Sequence, residues 1–234
     1  MLFVVAAGGT GSRMLPVTRH LNKHLIPTEM GSLVIDYPLR MFAKHHAEEV
    51  VVVTGSNHAS QIIDYVEDGS RYGFKRIEYA FQSKPAGIAD VLKRIIHKKN
   101  TGGVLLILGD NYFSNPQLTN IRPNRAMAFQ YDIGSIEQAK AFGQIVFENH
   151  IPADIVEKPK NPTHSLILTG LYYFPNDVFD LVEKLSPSQR NELEITDLLR
   201  LYLKQERLDI HTVDGEWADL GEWPSLQKFW KSRS

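Results

Sequence analysis

Cysteine is absent from the 234 residues, which excludes disulfides, thiolate catalysis and cysteine–zinc sites together. The sequence also lacks any run of about 18 consecutive apolar residues, the length a membrane-spanning helix needs. Its N-terminal apolar segment is short and has no cationic flank, so it does not read as a secretory signal. A cytoplasmic location without a membrane partner is the expectation. Neither sign of charge is in excess: 26 Lys and Arg stand against 27 Asp and Glu, a formal net charge of -1. No global field therefore draws nucleic acid or anionic lipid, and any phosphate site must be local. Internal repeats, low-complexity tracts and linkers are missing too. At 43% hydrophobic composition the chain supports one sizeable core, and a single domain over 1–234 is expected.

What is present begins at Leu2-Phe3-Val4-Val5-Ala6-Ala7, a buried apolar strand that runs straight into Gly8-Gly9-Thr10-Gly11-Ser12-Arg13. Glycines leave the peptide N–H groups uncovered, so a phosphate chain can lie on them. Arg13 adds a planar fork of donors for the same oxygens. Two better-known phosphate loops do not apply. A dinucleotide fingerprint would need a third glycine where Met14 stands, and the Gly-Lys-Ser/Thr ending of a Walker A loop is absent. Glycine pairs alone fit an ordinary strand–turn–helix connection; Arg13 with Lys23 shortly after it favours phosphate capture.

Further along, Leu33 to Ala43 has the apolar spacing of a helix despite Pro38. Val50 to Val53 reads as a buried strand, and Ile62, Ile63 and Val66 recur at helical spacing before Gly69 and Gly73. Ile77 to Phe81 is the next strand and Ala86 to Ile96 a helix. Val104 to Leu108, continuous and apolar, delivers Gly109-Asp110-Asn111 to a strand end. This alternation predicts an α/β fold with a mostly parallel sheet and ligands at the strand carboxyl ends. Ala126 to Asp132 and Gln144 to Phe147 read as strands around a lid or insertion, and Leu166 to Phe174 as a strand. A helix is expected over Glu192 to Gln205 with Ser186-Pro187-Ser188 as its start signal, and a short one around Leu226 to Trp230.

Gly8 to Met14, Pro16-Val17-Thr18 and Asn22-Lys23-His24-Leu25-Ile26-Pro27 together resemble the sugar-1-phosphate nucleotidyltransferases, and among them most closely the glucose-1-phosphate thymidylyltransferases. The likeness continues in order through Asp36-Tyr37-Pro38-Leu39, Asp68-Gly69-Ser70, Gln82, Gly109-Asp110-Asn111, Glu157-Lys158-Pro159, Thr169-Gly170-Leu171-Tyr172 and Glu192 to Asp197. It covers nearly the whole chain. It implies a Rossmann-like three-layer α/β/α fold with a mostly parallel mixed central sheet, of the nucleotide-diphospho-sugar transferase type. It also implies Mg²⁺-dependent transfer from dTTP to glucose-1-phosphate, giving dTDP-glucose and pyrophosphate.

Such a reaction brings two polyanions together, so it needs cations, a divalent metal and a rigid hold on the nucleophile, with no protein nucleophile. The resemblance assigns Arg13, Lys23, Lys158 and Asp110 to catalysis, and Asp110 and Asp219 to the metal. Mg²⁺ takes oxygen ligands and commonly only one or two carboxylates. Nucleotide binding falls to Gly8, Gly9, Thr10, Gly11, Ser12 and Arg13, with Gln82 and the peptide of Gly87 reading the base. Sugar-phosphate binding falls to Asn111, Gly143, Glu157, Lys158, Thr169 and Tyr172.

Departures from the family pattern bear on specificity. Ser12 replaces the usual threonine and keeps its hydroxyl, and His24 stands where glutamine is common near the pentose. Ala86 replaces an acidic residue, and Phe142 a tyrosine near the sugar. These leave dTTP against UTP, and the identity of the sugar, open. A UTP-dependent transferase and a non-catalytic nucleotide or sugar-phosphate sensor on the same fold are the alternatives; the full set of cations and carboxylates favours catalysis. His20 and His24 have a zinc-compatible spacing, yet no third ligand accompanies them. Compared with that family the sequence stops early, omitting a C-terminal helical extension that in thymidylyltransferases helps build subunit contacts and a regulatory nucleotide site, which leaves feedback control open. A homo-oligomer, dimer or tetramer, is what the resemblance implies.

Overall fold

The computed structural model describes residues 1–28, 31–116 and 118–233. In chain order the first elements are β1 (Leu2–Ala7), α1 (Asp36–Lys44), β2 (Glu49–Gly55), α2 (Ala59–Val66), β3 (Arg76–Gln82) and α3 (Asp90–Arg94). Then come β4 (Val104–Leu108), β5 (Asn111–Phe113), β6 (Ala126–Asp132), α4 (Ile136–Ala139), β7 (Gly143–Glu148) and β8 (Ile151–Glu157). The last are β9 (Leu166–Phe174), α5 (Val178–Val182), α6 (Ile195–Lys204), β10 (Leu208–Thr212), β11 (Trp217–Asp219) and α7 (Trp223–Lys231).

The chain forms two compact units, and strand β4 contributes residues to each. One unit contains Leu2–Pro85, Leu106–Asn115 and Gly215–Ser234. Its strands run in the order β4-β1-β2-β3, with β1–β2 and β2–β3 parallel. Successive parallel strands need crossovers, which α1 and α2 supply. Strand β1 is buried along its whole length, the signature of a strand covered on both faces. A separate antiparallel ribbon pairs β11 with β5 and sets Asp219 opposite Asn111. Met14, Ile26, Val34, Leu220, Leu226 and Phe229 form a core cluster in this unit.

The other unit contains Met1, Ala86–Leu105 and Pro116–Asp214. Its sheet strands follow the order β10-β6-β9-β4, with β10–β6 parallel and β6–β9 antiparallel. The mixed, dominantly parallel α/β architecture expected from the sequence is present. Strands β7 and β8 make a separate antiparallel pair. Ala126 to Asp132 is the strand expected and lies within the sheet between β10 and β9, with Ala126 to Phe129 buried in the core.

Three helices are shorter than their apolar spacing implied. The first starts at Asp36 rather than Leu33. Helix α3 is confined to Asp90–Arg94, since the residues before it are used otherwise: the Leu193 N–H donates to the Ala86 carbonyl at 2.7 Å and the Ala89 N–H to the Leu193 carbonyl at 3.1 Å. The same bonds hold Leu193 outside α6, whose N-cap is Glu194. Ser188 does not begin that helix; its hydroxyl donates to Glu194 Oε1 at 2.6 Å. In the opposite direction, α7 is longer than expected and begins at Trp223, with Pro224 in its first turn, where a missing N–H costs nothing.

Candidate active site

In the first unit, β1 ends at Ala7 and the chain turns through the glycine loop into a single 3-10 turn, Ser12–Met14. Gly11 takes φ 71°, and its carbonyl accepts the Thr18 hydroxyl at 2.7 Å. Met14 is buried in the core cluster, while Gly9, Thr10, Ser12 and Arg13 are exposed. The Lys23 side chain crosses directly over Gly9: a Cβ there would stand 2.8 Å from Lys23 Cε. Glycine at this position therefore lets Lys23 reach Asp110, with which it forms a nearly buried ion pair. Gln82, at the end of β3, is buried with its Oε1 against Gly8. No side chain larger than hydrogen fits at Gly8 without displacing it.

Asp110 follows β4 and Asp219 ends β11; both are buried. A Cβ on Gly221 would lie 2.3 Å from Asp110 Oδ2 and 2.9 Å from Asp219 Oδ1, so the two carboxylates border one small space that this glycine keeps open. Burial would raise the Asp110 carboxyl, but the charge of Lys23 and its hydrogen bond hold it well below the usual carboxylate range. Asp219 is pushed up, by burial first and by the negative charge of Asp110 second. Two buried carboxylates on one small space, one of them raising the proton affinity of the other, fit a hard divalent cation. Among the described residues no group of three or more His, Asp or Glu side chains gathers into a metal cluster. The carboxylate pair is thus what the chain offers, and it suits Mg²⁺, which keeps water and substrate phosphate as its other ligands.

Asn111 is held between neighbours: its Oδ1 accepts the Trp217 indole N–H at 2.8 Å, and its Nδ2 donates to Asp110 Oδ1 at 3.3 Å. The Trp217 indole thereby orients the amide beside the carboxylate. His24 is buried and does not pair with His20. Its Nδ1 lies 2.8 Å from Asn22 Oδ1, and a Cβ on Gly109 would meet its ring at 2.9 Å. Burial first, and the charge of Lys23 second, depress its pKa from 6.5 to about 3.

A neutral buried histidine has a stability consequence. The unfolded chain takes up a proton below pH 6.5 that folded His24 refuses until about pH 3. Its contribution is therefore present above pH 6.5 and is lost as pH falls from there. Linkage puts the loss at about 2–3 kcal/mol between pH 7 and pH 4.5. His24→Gln should remove that component, so urea denaturation at the two pH values should show a smaller decline for the variant. Equal declines would contradict the assignment.

The second unit carries the remaining residues. Gly143 and Glu157 are cross-strand partners in the β7–β8 pair, and a Cβ on Gly143 would come within 3.3 Å of Glu157 Oε2. Thr196 donates its hydroxyl to the same oxygen at 3.3 Å. Burial, then the charge of Glu194, raise the Glu157 carboxyl against the pull of Lys158 and Arg190. Lys158 sits in the left-handed region at φ 45°, a conformation that costs a non-glycine residue energy and is retained where structure imposes it. Its N–H donates to the Phe142 carbonyl at 3.1 Å, and its Nζ stands 4.0 Å from Glu157 Oε1.

Arg190 was not singled out from the sequence. Its guanidinium reaches Glu157 at 3.4 Å, Glu192 at 3.1 Å and Glu194 at 2.7 Å, which places a second cation beside Lys158 and Glu157. A lone arginine in a polar turn has no periodicity to mark it. Tyr172 is buried, and burial with the nearby charge of Glu157 pushes its hydroxyl pKa up. Thr169 turns its hydroxyl to the Phe129 carbonyl at 2.9 Å, a bond that ties β9 to β6. Gly87 takes φ 94° with Leu193 backbone atoms 2.3 Å from where a Cβ would be, so only glycine fits.

A glycine loop with two cations near it and a buried carboxylate pair have the chemistry to handle phosphorylated substrates, and the other unit carries a Glu-Lys-Arg group of its own. The chain belongs to the nucleotidyl transferase family, whose model matches residues 2–232, and it is a nucleotidyltransferase. It is 33% identical over 236 aligned positions to the glucose-1-phosphate thymidylyltransferase of Neisseria gonorrhoeae, covering 96% of this chain and 80% of that protein. It is 31% identical over 223 positions to the low-salt glycan biosynthesis nucleotidyltransferase Agl11 of Haloferax volcanii, covering 94% of this chain and 62% of that one. A crystal structure from Bacillus anthracis, described as a glucose-1-phosphate thymidylyltransferase in complex with sucrose, superposes with TM-score 0.89 at 31% identity. It covers 99% of this chain and 94% of that chain. A UDP-glucose pyrophosphorylase, 20% identical with TM-score 0.84, shares the fold.

Proposed function

We propose that the protein transfers a thymidylyl group from dTTP to glucose-1-phosphate, forming dTDP-glucose and pyrophosphate. The observation that carries this reading is the Asp110–Asp219 pair bordering the space at Gly221, with Lys23 and Arg13 against it. The names of the relatives that match most of the chain support the choice of dTTP and glucose-1-phosphate.

A phosphate oxygen of the sugar phosphate attacks the α-phosphorus, and the bond from that phosphorus to the bridging oxygen breaks, releasing pyrophosphate. Mg²⁺, when held by Asp110 and Asp219, supplies charge neutralisation on the phosphate oxygens. Arg13 and Lys23 take the triphosphate on the glycine loop, and Lys23 exchanges its contact with Asp110 for phosphate oxygen. Gln82 and the Gly87 peptide read the pyrimidine. Glu157, held by Thr196, accepts sugar hydroxyl protons in hydrogen bonds, and Lys158 with Arg190 takes the sugar's phosphate. Positioning and charge neutralisation are the main contributions such a reaction needs.

Pyrophosphate release should be measured with Mg²⁺, crossing dTTP, UTP, CTP, ATP and GTP against glucose-1-phosphate and other sugar-1-phosphates. Turnover fastest with dTTP and glucose-1-phosphate is the expected result. Preference for UTP would keep the mechanism and replace the substrate. Nucleotide binding without release from any pair would favour the sensor reading.

A further inference from the structure

Arg13 faces two carboxylates. Its Nη1 donates to Glu222 Oε2 at 2.7 Å, whereas its Nη2 stands 3.8 Å from Asp219 Oδ2. Glu222 was not among the residues marked by the sequence. An ion pair in which the arginine side chain is 54% exposed contributes little to stability, so its effect is better sought in geometry. Both ends of the pair are fixed by the same packing. Met14, adjacent to Arg13, is buried with Leu220, Leu226 and Phe229, and Trp223, adjacent to Glu222, packs against that cluster. The Glu222 carbonyl also accepts the Leu226 N–H at 3.1 Å as α7 begins. Neither side chain has to search far for the other, so holding Arg13 in place loses little freedom.

We infer that Glu222 is a positioning residue for nucleotide binding: it holds one edge of the Arg13 fork and so keeps the arginine from closing on Asp219. This rests on the nucleotide-binding reading above. A guanidinium has five N–H donors, and the bond to Glu222 uses one, which leaves the others for phosphate oxygens. Without Glu222, the carboxylate remaining beside Arg13 is that of Asp219. Arginine and divalent cation would then compete for the same oxygens, and nucleotide affinity and metal requirement would worsen together.

The test uses the intact chain with Glu222→Ser, which removes the carboxylate yet suits a helix N-cap, and Glu222→Gln, which keeps an oxygen acceptor for Arg13. Binding of dTTP is read by titration calorimetry at saturating Mg²⁺, and the Mg²⁺ needed for half-maximal binding is read at fixed dTTP. Glu222→Ser should weaken dTTP by about tenfold and raise the Mg²⁺ requirement, with the KM for glucose-1-phosphate unchanged. Glu222→Gln should recover most of the affinity. In an Arg13→Ala background, Glu222→Ser should add nothing, because its effect passes through the arginine. Wild-type affinity and Mg²⁺ requirement in Glu222→Ser would overturn the inference, as would an equal effect in the Arg13→Ala background. Wild-type protein that binds neither dTTP nor UTP would overturn the nucleotide reading itself and this inference with it.

Discussion

Asp110→Asn is expected to lower kcat by about a thousandfold or more, the range associated with loss of a principal charge-stabilising group. The amide keeps the shape of the carboxylate, and Asn111 and Gly221 need not move, but one anion of the carboxylate pair proposed to hold Mg²⁺ is gone. Two effects on folding oppose each other. Lys23, largely buried, loses its partner, which destabilises. Asp219 is relieved of the negative charge that raises its proton affinity, which stabilises. The fold should therefore survive, and circular dichroism with thermal melting alongside pyrophosphate release separates chemistry from unfolding. Turnover within tenfold of the parent, with a folded variant, would remove Asp110 from the catalytic set.

Lys158→Ala should cost about a hundredfold to a thousandfold in kcat/KM for the sugar phosphate, with a smaller change in dTTP binding. The lysine's backbone is held at positive φ by the β7–β8 pair and by its bond to Phe142, and its charge lies beside Glu157 and Arg190. Its removal leaves Glu157 with one cation fewer, so the Glu157 proton affinity, already raised by burial, rises further. Activity should then fall more steeply at acidic pH than in the parent. Lys158→Arg, which restores charge but not shape, should recover part of the loss. A KM for the sugar phosphate that does not move would place Lys158 outside that contact.

Much of this arrangement could be read from the chain itself. Strands β1, β2 and β4 announce themselves because a strand buried on both faces must be continuously apolar, and Val104-Leu105-Leu106-Ile107 has no other comfortable place. Their order with intervening helical spacing was enough to expect a dominantly parallel sheet, and Asp110 follows from standing after the last of them. The glycine loop, Arg13 and Lys23 could be picked out as candidates for a related reason: bare peptide groups and cations close in sequence are what an anion site would use.

The tertiary structure decided what distant segments do to one another. Strand β6 pairs antiparallel with β9 and parallel with β10, and nothing in Ala126 to Asp132 records either neighbour. Apolar spacing likewise could not limit α3 and α6, because the backbone bonds between Leu193 and residues 86–89 that cut both helices short join segments about a hundred residues apart. Arg190 against Glu157 and Glu222 against Arg13 are contacts of partly exposed charges, which carry no periodicity and no turn chemistry. A residue's burial preference is written in its own side chain and its near neighbours; its partner across the fold is chosen only when the backbone closes.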